Sequence, residues 1–142
     1  MKIRAMTIED YDAVLALWNA SLASPRDVTD SREAIAKFLQ RNPDISVVAI
    51  DGVKVVGSIL CGHDGRRGFL YHVAVDESVR RQGVAQAMLA ACLKKLRDED
   101  IHKCALSAFK NNDKGNALWT RLGFSIRDDI YYRDIWLTEE KS

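Results

Sequence analysis

The sequence predicts a single mixed α/β domain on a largely antiparallel central sheet flanked by helices, and three stretches carry that prediction. Residues 45–75 hold three short apolar runs separated by two glycine-containing turns, the pattern of an antiparallel meander. The third run leaves through a polar bend and a glycine loop into a helical pattern with a wide apolar face, ending at Leu96. A further apolar run, Cys104 to Phe109, follows that helix, and a helical crossover returns such a strand parallel to the third strand of the meander.

Each element has its own signal. Lys2 to Met6 alternates around Ile3 as a short first strand, and Thr7 to Asp10 approximates a capping box before Tyr11, Val14, Leu15, Trp18 and Leu22, one face of a helix. Ser24-Pro25-Arg26-Asp27 breaks that helix. A second starts near Thr29–Ser31, uses Ile35, Phe38 and Leu39, and stops before Asn42-Pro43. Ile45 to Ile50 is a β-branched strand, and Asp51-Gly52 reads as a two-residue hairpin turn. Val53 to Cys61 returns, with Gly57 marking a bulge or a close backbone approach. Gly62 to Gly68, carrying His63 and Asp64, is a longer turn before the strand Phe69 to Val75. Asn112 to Leu122 reads as a helix with Asn112 at its N-cap and Gly123 just past its end. Phe124–Ile126 and Ile130–Leu137 read as a final hairpin around Arg127-Asp128-Asp129. Without repeats or linkers, residues 1–142 form one domain.

Composition narrows the function. A net charge of +1, and arginine pairs (Arg66-Arg67, Arg80-Arg81) that no aromatic-interleaved basic run connects, argue against a nucleic-acid partner. No apolar stretch approaches the ~20 residues of a membrane span, and the N-terminus lacks a signal-peptide core. Cys61, Cys92 and Cys104 are odd in number and lack metal-ligand or redox spacing, which suits reduced core residues, a cytoplasmic location and no metal site.

The loop between the third meander strand and the following helix carries the functional signal. Arg80-Arg81-Gln82-Gly83-Val84-Ala85-Gln86 leads from the bend Asp76-Glu77-Ser78 into a helix N-terminus, whose first N–H groups lack intrahelical partners and whose dipole favours an anion. Gly83 lets the backbone approach a bound group, and Ala85 keeps the surface shallow. A P-loop would need Gly-Lys-Ser/Thr and a dinucleotide loop three spaced glycines; neither is present.

Arg80-x-x-Gly83-x-Ala85 resembles the acyl-CoA pyrophosphate loop of the GNAT superfamily of N-acetyltransferases. Asn112-x4-Ala117-x-Trp119-x3-Gly123-Phe124 resembles that family's last conserved helix, and the element order matches the family's over essentially the whole chain, with a layout closest to its small single-domain bacterial members. The resemblance implies a GNAT acyl-CoA N-acyltransferase fold whose sheet splays at the CoA site. It implies acetyl-CoA as acyl donor, with pantetheine along the backbone of Val73, Ala74 and Val75 and pyrophosphate on the amides from Arg81 through Gln82, Gly83, Val84 and Ala85 to Gln86. Arg80 begins the loop and could instead brace it; Asn112 would touch the cofactor, stabilise the splay or simply cap its helix; Trp119 would cover the pantetheine or hydrogen-bond the sulfur without transferring a proton. A backbone N–H near Val75 would polarise the acetyl carbonyl while a primary amine attacks directly in a ternary complex.

Proton carriers are less evident. Strand parity places Phe69, Tyr71, Val73 and Val75 on one face and Leu70, His72 and Ala74 on the other. On that parity Tyr71 is the polar side chain on the correct face, acting through a water, whereas His72 packs against a helix unless a bulge turns it. Many family members place a tyrosine where this chain has Trp119, so Tyr131 or Tyr132, or solvent, would have to protonate the leaving thiolate. The alternative is an acyl-CoA-binding sensor with little or no turnover. The acceptor, a small-molecule or protein amine, is not readable; Asp27, Asp30, Asp128 and Asp129 could attract a cationic one, and the final strands could pair two subunits into a homodimer.

Overall fold

Five strands run side by side in chain order: β1 (Lys2–Ala5), β2 (Val47–Asp51), β3 (Lys54–His63), β4 (Gly68–Val75) and β5 (Cys104–Leu106). The computed structural model describes residues 1–142. The first four strands pair antiparallel, and β5 joins β4 in parallel after the α3 crossover. Helices α1 (Tyr11–Ser21) and α2 (Arg32–Arg41) cover one face, where Val14, Trp18 and Ile35 pack on Val48, Leu60 and Ala74. Helix α3 (Val84–Asp98) covers the other, where Val84, Met88 and Cys92 meet Ala49, Ile59 and Cys61. Helix α4 (Asp113–Arg121) follows β5. No helix is long and apolar enough to cross a membrane.

Local chemistry accounts for the element boundaries. Asp10 accepts the Thr7 amide at 2.9 Å and two Arg4 hydrogen bonds at 2.8 Å each, so the turn before α1 is tied to β1. Ser31 Oγ accepts the Ala34 amide and starts α2. Gly57 is a close approach: a Cβ there would lie 2.9 Å from Met88 Cε and 3.2 Å from Val84 Cγ1, so glycine lets α3 seat against β3. The bulge lies beside it, since Ala49 pairs with Gly57 but Ile50 pairs with Val55.

Three expectations need correction. The first hairpin loop is Gly52-Val53 rather than Asp51-Gly52, because Asp51 pairs with Lys54 and the positive φ of 64° falls at the first loop residue. The final hairpin does not form: residues 124–142 contain no strand, and the segment is anchored by Phe124 against Trp119 and by the Val28 amide donating to the Lys141 carbonyl at 2.8 Å. A hairpin there needs an edge to pair with, and β5 keeps a strand conformation for only three residues before it diverges.

The third correction concerns β4. Leu60 pairs with Tyr71 and Ser58 with Ala74, so the single residue Ile59 faces two, His72 and Val73. This is a β-bulge, and His72 holds it with a φ of +50°. The extra residue resets the alternation. Leu70, Val73 and Val75 belong to the α3 side, while Ala74 is buried against α1 and His72 stacks on the α1 residue Trp18. Tyr71 and His72 therefore both lie on the α1–α2 side; a strict period of two wrongly sets them on opposite faces, while its expectation that His72 packs against a helix beside Ala74 holds.

Candidate functional site

The sheet opens where β4 and β5 part. Their pairing covers only Gly68–Leu70 against Cys104–Leu106, and beyond it a cavity of about 510 Å³ fills the wedge. Leu70, His72 and Val73 form one wall; Leu106, Ser107 and Phe109 form the other. Ser21 to Ser24, at and just beyond the end of α1, line one end, and Asn112 and Trp119 of the α4 segment line another.

The β4 backbone presents hydrogen-bonding groups to this wedge. The Asp76 amide donates to the Val56 carbonyl at 2.7 Å, which makes Gly57–Val75 a non-hydrogen-bonded pair. The N–H and C=O of Val75 thus point away from β3 toward the wedge, and alternation along the strand directs those of Val73 the same way. Ala74 is different. Its backbone groups point into the pairing with Ser58 and its side chain is buried against α1, so it offers the wedge nothing. Arg80 braces the loop, with its Nε donating to the Val75 carbonyl at 3.3 Å.

Between β4 and α3 lies the loop 76–83. Asp76 ends β4 and accepts the amide and hydroxyl of Ser78, at 2.9 and 2.7 Å; these bonds, with Lys54 at 3.3 Å, pull its carboxyl down to about 2. The chain then turns through positive φ at Arg81 (66°) and Gly83 (77°) into α3. The first α3 hydrogen bond runs from the Ala87 amide to the Gly83 carbonyl, and the amides of Arg81 through Gln86 donate to no protein group. A Cβ at Gly83 would meet no heavy atom within 4 Å, so open space lies over these amides. Consecutive free N–H groups at the positive end of a helix dipole suit a diphosphate.

The remaining candidates separate cleanly. Asn112 caps α4, its Oδ1 accepting the Gly115 amide at 3.1 Å, and it also lines the cavity. Gly115 permits that cap, because a Cβ there would sit 2.5 Å from Asn112 Nδ2; the sequence pattern does not single it out. Trp119 lines the cavity and is held edge-on by Phe124, with centroids 5.5 Å apart. Tyr71 does not line it. Its ring packs between Phe69 and Phe38, and burial, then the neighbouring Tyr132, raises its pKa, leaving a protonated phenol at neutral pH. Tyr131 is 85% exposed and lies outside the cavity, as does Tyr132. His63 turns toward Glu99 at the end of α3, and Asp64 caps its own turn by accepting the Arg66 and Arg67 amides.

His72 is the residue that parity wrongly separates from Tyr71. Its Nε2 lies 2.6 Å from Asp30 Oδ1, and its ring centroid is 4.8 Å from that of Trp18. The Trp18 indole N–H donates to Ser58 Oγ at 3.1 Å, which fixes the surface the imidazole rests on. Asp30 is 6% exposed; its other oxygen accepts the Asp27 amide, and its carbonyl accepts the Tyr11 hydroxyl. Burial works to raise the Asp30 pKa, but the hydrogen bonds from His72 and the Asp27 amide outweigh it and hold the carboxyl below its ordinary value. Nothing local in the sequence joins two residues 42 positions apart.

Known proteins share this architecture. The acetyltransferase (GNAT) family model matches residues 11–124. An acetyltransferase of Sodalis glossinidius is 31% identical over 131 residues, covering 92% of this chain and 91% of its own. Among solved structures, Ard1 from Thermoplasma volcanium superposes with a TM-score of 0.80 at 24% identity, covering 89% of this chain and 83% of that one. The PaiA N-acetyltransferase of Thermoplasma acidophilum, solved in complex with coenzyme A, gives 0.76 at 16% identity, covering 89% and 91%.

Proposed function

The chain belongs to the GNAT acetyltransferase family, and on that premise we propose that it carries the acetyl group of acetyl-CoA to a primary amine by direct attack while both substrates are bound. The observation that supports this most is the row of free amides from Arg81 to Gln86 at the start of α3, which directly follows the strand whose parting from β5 opens the wedge. The residues fit the donor: the amides and Gly83 would take the diphosphate, the Val73 and Val75 backbone the pantetheine amides, and Asn112 and Trp119 the outer wall. When bound, the thioester supplies an activated acetyl group. The protein supplies alignment, which can substitute for a high concentration of amine, and the Val75 N–H as a hydrogen-bond donor where carbonyl charge develops. Ser21 to Ser24 form the side from which an amine would enter.

A second reading, an acyl-CoA sensor with little turnover, draws on one observation. Trp119 stands at the cavity wall and no tyrosine reaches it, so the cavity lacks a phenol to protonate a departing thiolate. Release of CoA thiol during incubation of acetyl-CoA with a panel of polyamines, aminoglycosides and peptide amines separates the two. Amine-dependent release supports transfer. A rise in melting temperature with acetyl-CoA but no release from any amine supports the sensor.

A further inference from the structure

Among the side chains lining the cavity, His72 is the one that ionises. It reaches that wall because the bulge places two consecutive residues on the α1–α2 side, and the local backbone holds it at a φ of +50°, a conformation that asparagine, aspartate and histidine enter more readily than most non-glycine residues. Its ring is constrained by two neighbours, Asp30 at Nε2 and the Trp18 ring, tilted 56° to it with centroids 4.8 Å apart. The ionised Asp30 carboxylate accepts only, so the proton between them belongs to Nε2 in neutral imidazole. Nδ1 then carries the lone pair. It has no partner within the protein and is not buried.

We infer that His72 is the general base of this acetyltransferase, with Nδ1 accepting a proton from the acceptor ammonium and Asp30 as the positioning residue that sets the tautomer and steadies the imidazolium. The inference rests on the acetyl-transfer reading above and names the group that makes the amine nucleophilic. The ammonium gives one proton to Nδ1, and the freed nitrogen pair forms the C–N bond. The C–S bond breaks and its electron pair stays on sulfur. Of the two protons the nitrogen loses, one passes through His72 to bulk water and the other ends on the sulfur. The charged groups facing the imidazole are Asp30 and, across the Trp18 ring at 6.0 Å, Arg26; both come from the α1–α2 connection. From β3 the nearby polar group is Ser58, and the β5 and α4 walls bring only neutral side chains to the cavity.

The positive φ supplies a clean test. Glycine adopts that conformation without strain, so His72→Gly should fold and leave an imidazole-sized vacancy. Its kcat/KM with the best amine of the panel should fall roughly a hundredfold to ten-thousandfold and recover in part with added imidazole. Asp30→Asn should lower kcat far more than it raises KM. The ¹⁵N spectrum of the ligand-free wild type should show the Nε2–H tautomer of His72, and Asp30→Asn should redistribute it, because an amide N–H can donate to Nε2. Activity of folded His72→Gly within threefold of wild type, or an Nδ1–H tautomer in the wild type, overturns the assignment. Absence of CoA release from the wild type with every amine overturns the transfer reading itself, and the catalytic role of His72 with it.

Discussion

Gly83 offers the sharpest test of the loop, because its two properties can be perturbed separately. Its φ of +77° penalises any side chain, and the space above it is empty of protein atoms. A non-glycine residue in the left-handed region costs roughly 1–2 kcal/mol, which lowers the melting temperature of a domain this size by several degrees. Gly83→Ala and Gly83→Glu share that penalty. Only glutamate adds charge over the amides of Arg81 to Gln86. A carboxylate about 5 Å from a phosphate charge repels it by ~3 kcal/mol at an effective dielectric near 20. A diphosphate doubles this, and halving the sum for solvent screening still leaves ~3 kcal/mol, roughly a hundredfold in Kd. Thermal melts of both variants without ligand should therefore fall together. With acetyl-CoA, the alanine variant should keep a rise and the glutamate variant should lose it, and calorimetry should show the hundredfold weakening. An undiminished acetyl-CoA rise in a folded Gly83→Glu protein would refute the assignment of the diphosphate to this loop.

The other predictions read the rest of the site and its frame. Tyr131→Phe and Tyr71→Phe should each leave kcat within about twofold of wild type in the CoA-release assay, well below the usual effect of losing a general acid or base, since neither hydroxyl reaches the cavity. Asn112→Ala and Gly115→Ala should each cost about 0.5–2 kcal/mol in urea unfolding, and the double variant no more than the worse single one, because both remove the same cap. Arg4→Met should cost ~1.5–3 kcal/mol at neutral pH by removing two charge-assisted hydrogen bonds to Asp10. Arg4 holds the Asp10 carboxyl below its ordinary pKa, against the opposing effect of burial, so the pair's contribution is complete above the unfolded value of about 3.9 and is lost as pH falls through the folded one. The gap between wild type and variant should therefore be flat from neutral pH to about 5 and close below about 4.

What could be read from the sequence was what neighbouring residues decide. The meander was legible because alternating apolar runs ended at Gly52 and in the 62–68 turn, and the glycine turn into α3 because Gly83 sits where a strand feeds a helix. The misassigned pieces depend on remote pairing. Whether residues 124–137 form strands turns on the edge β5 presents, and β5 stops at Leu106 because the sheet must part there. Asp30 reads locally as a turn acid beside the Asp27 cap, and only the tertiary fold sets it against His72.

The bulge shows why the chemistry was harder to read than the fold. One extra residue opposite Ile59 leaves β4 in the sheet and its apolar residues buried, so a period-two reading of the strand survives almost intact. The same residue exchanges the faces of everything beyond it. Relative to the alternation set by Phe69 and Tyr71, Val73 and Val75 fall on the α3 side, and His72 and Ala74 on the side that Trp18 and Asp30 occupy. The insertion thus sets the position of the imidazole, while the pairs Leu60–Tyr71, Ser58–Ala74 and Gly57–Val75 on either side of it hold the Val75 N–H where it is. A variant lacking His72 should therefore keep all five strands and the Val75 orientation and lose the imidazole alone, at the one position of the strand that holds a positive φ on a non-glycine residue.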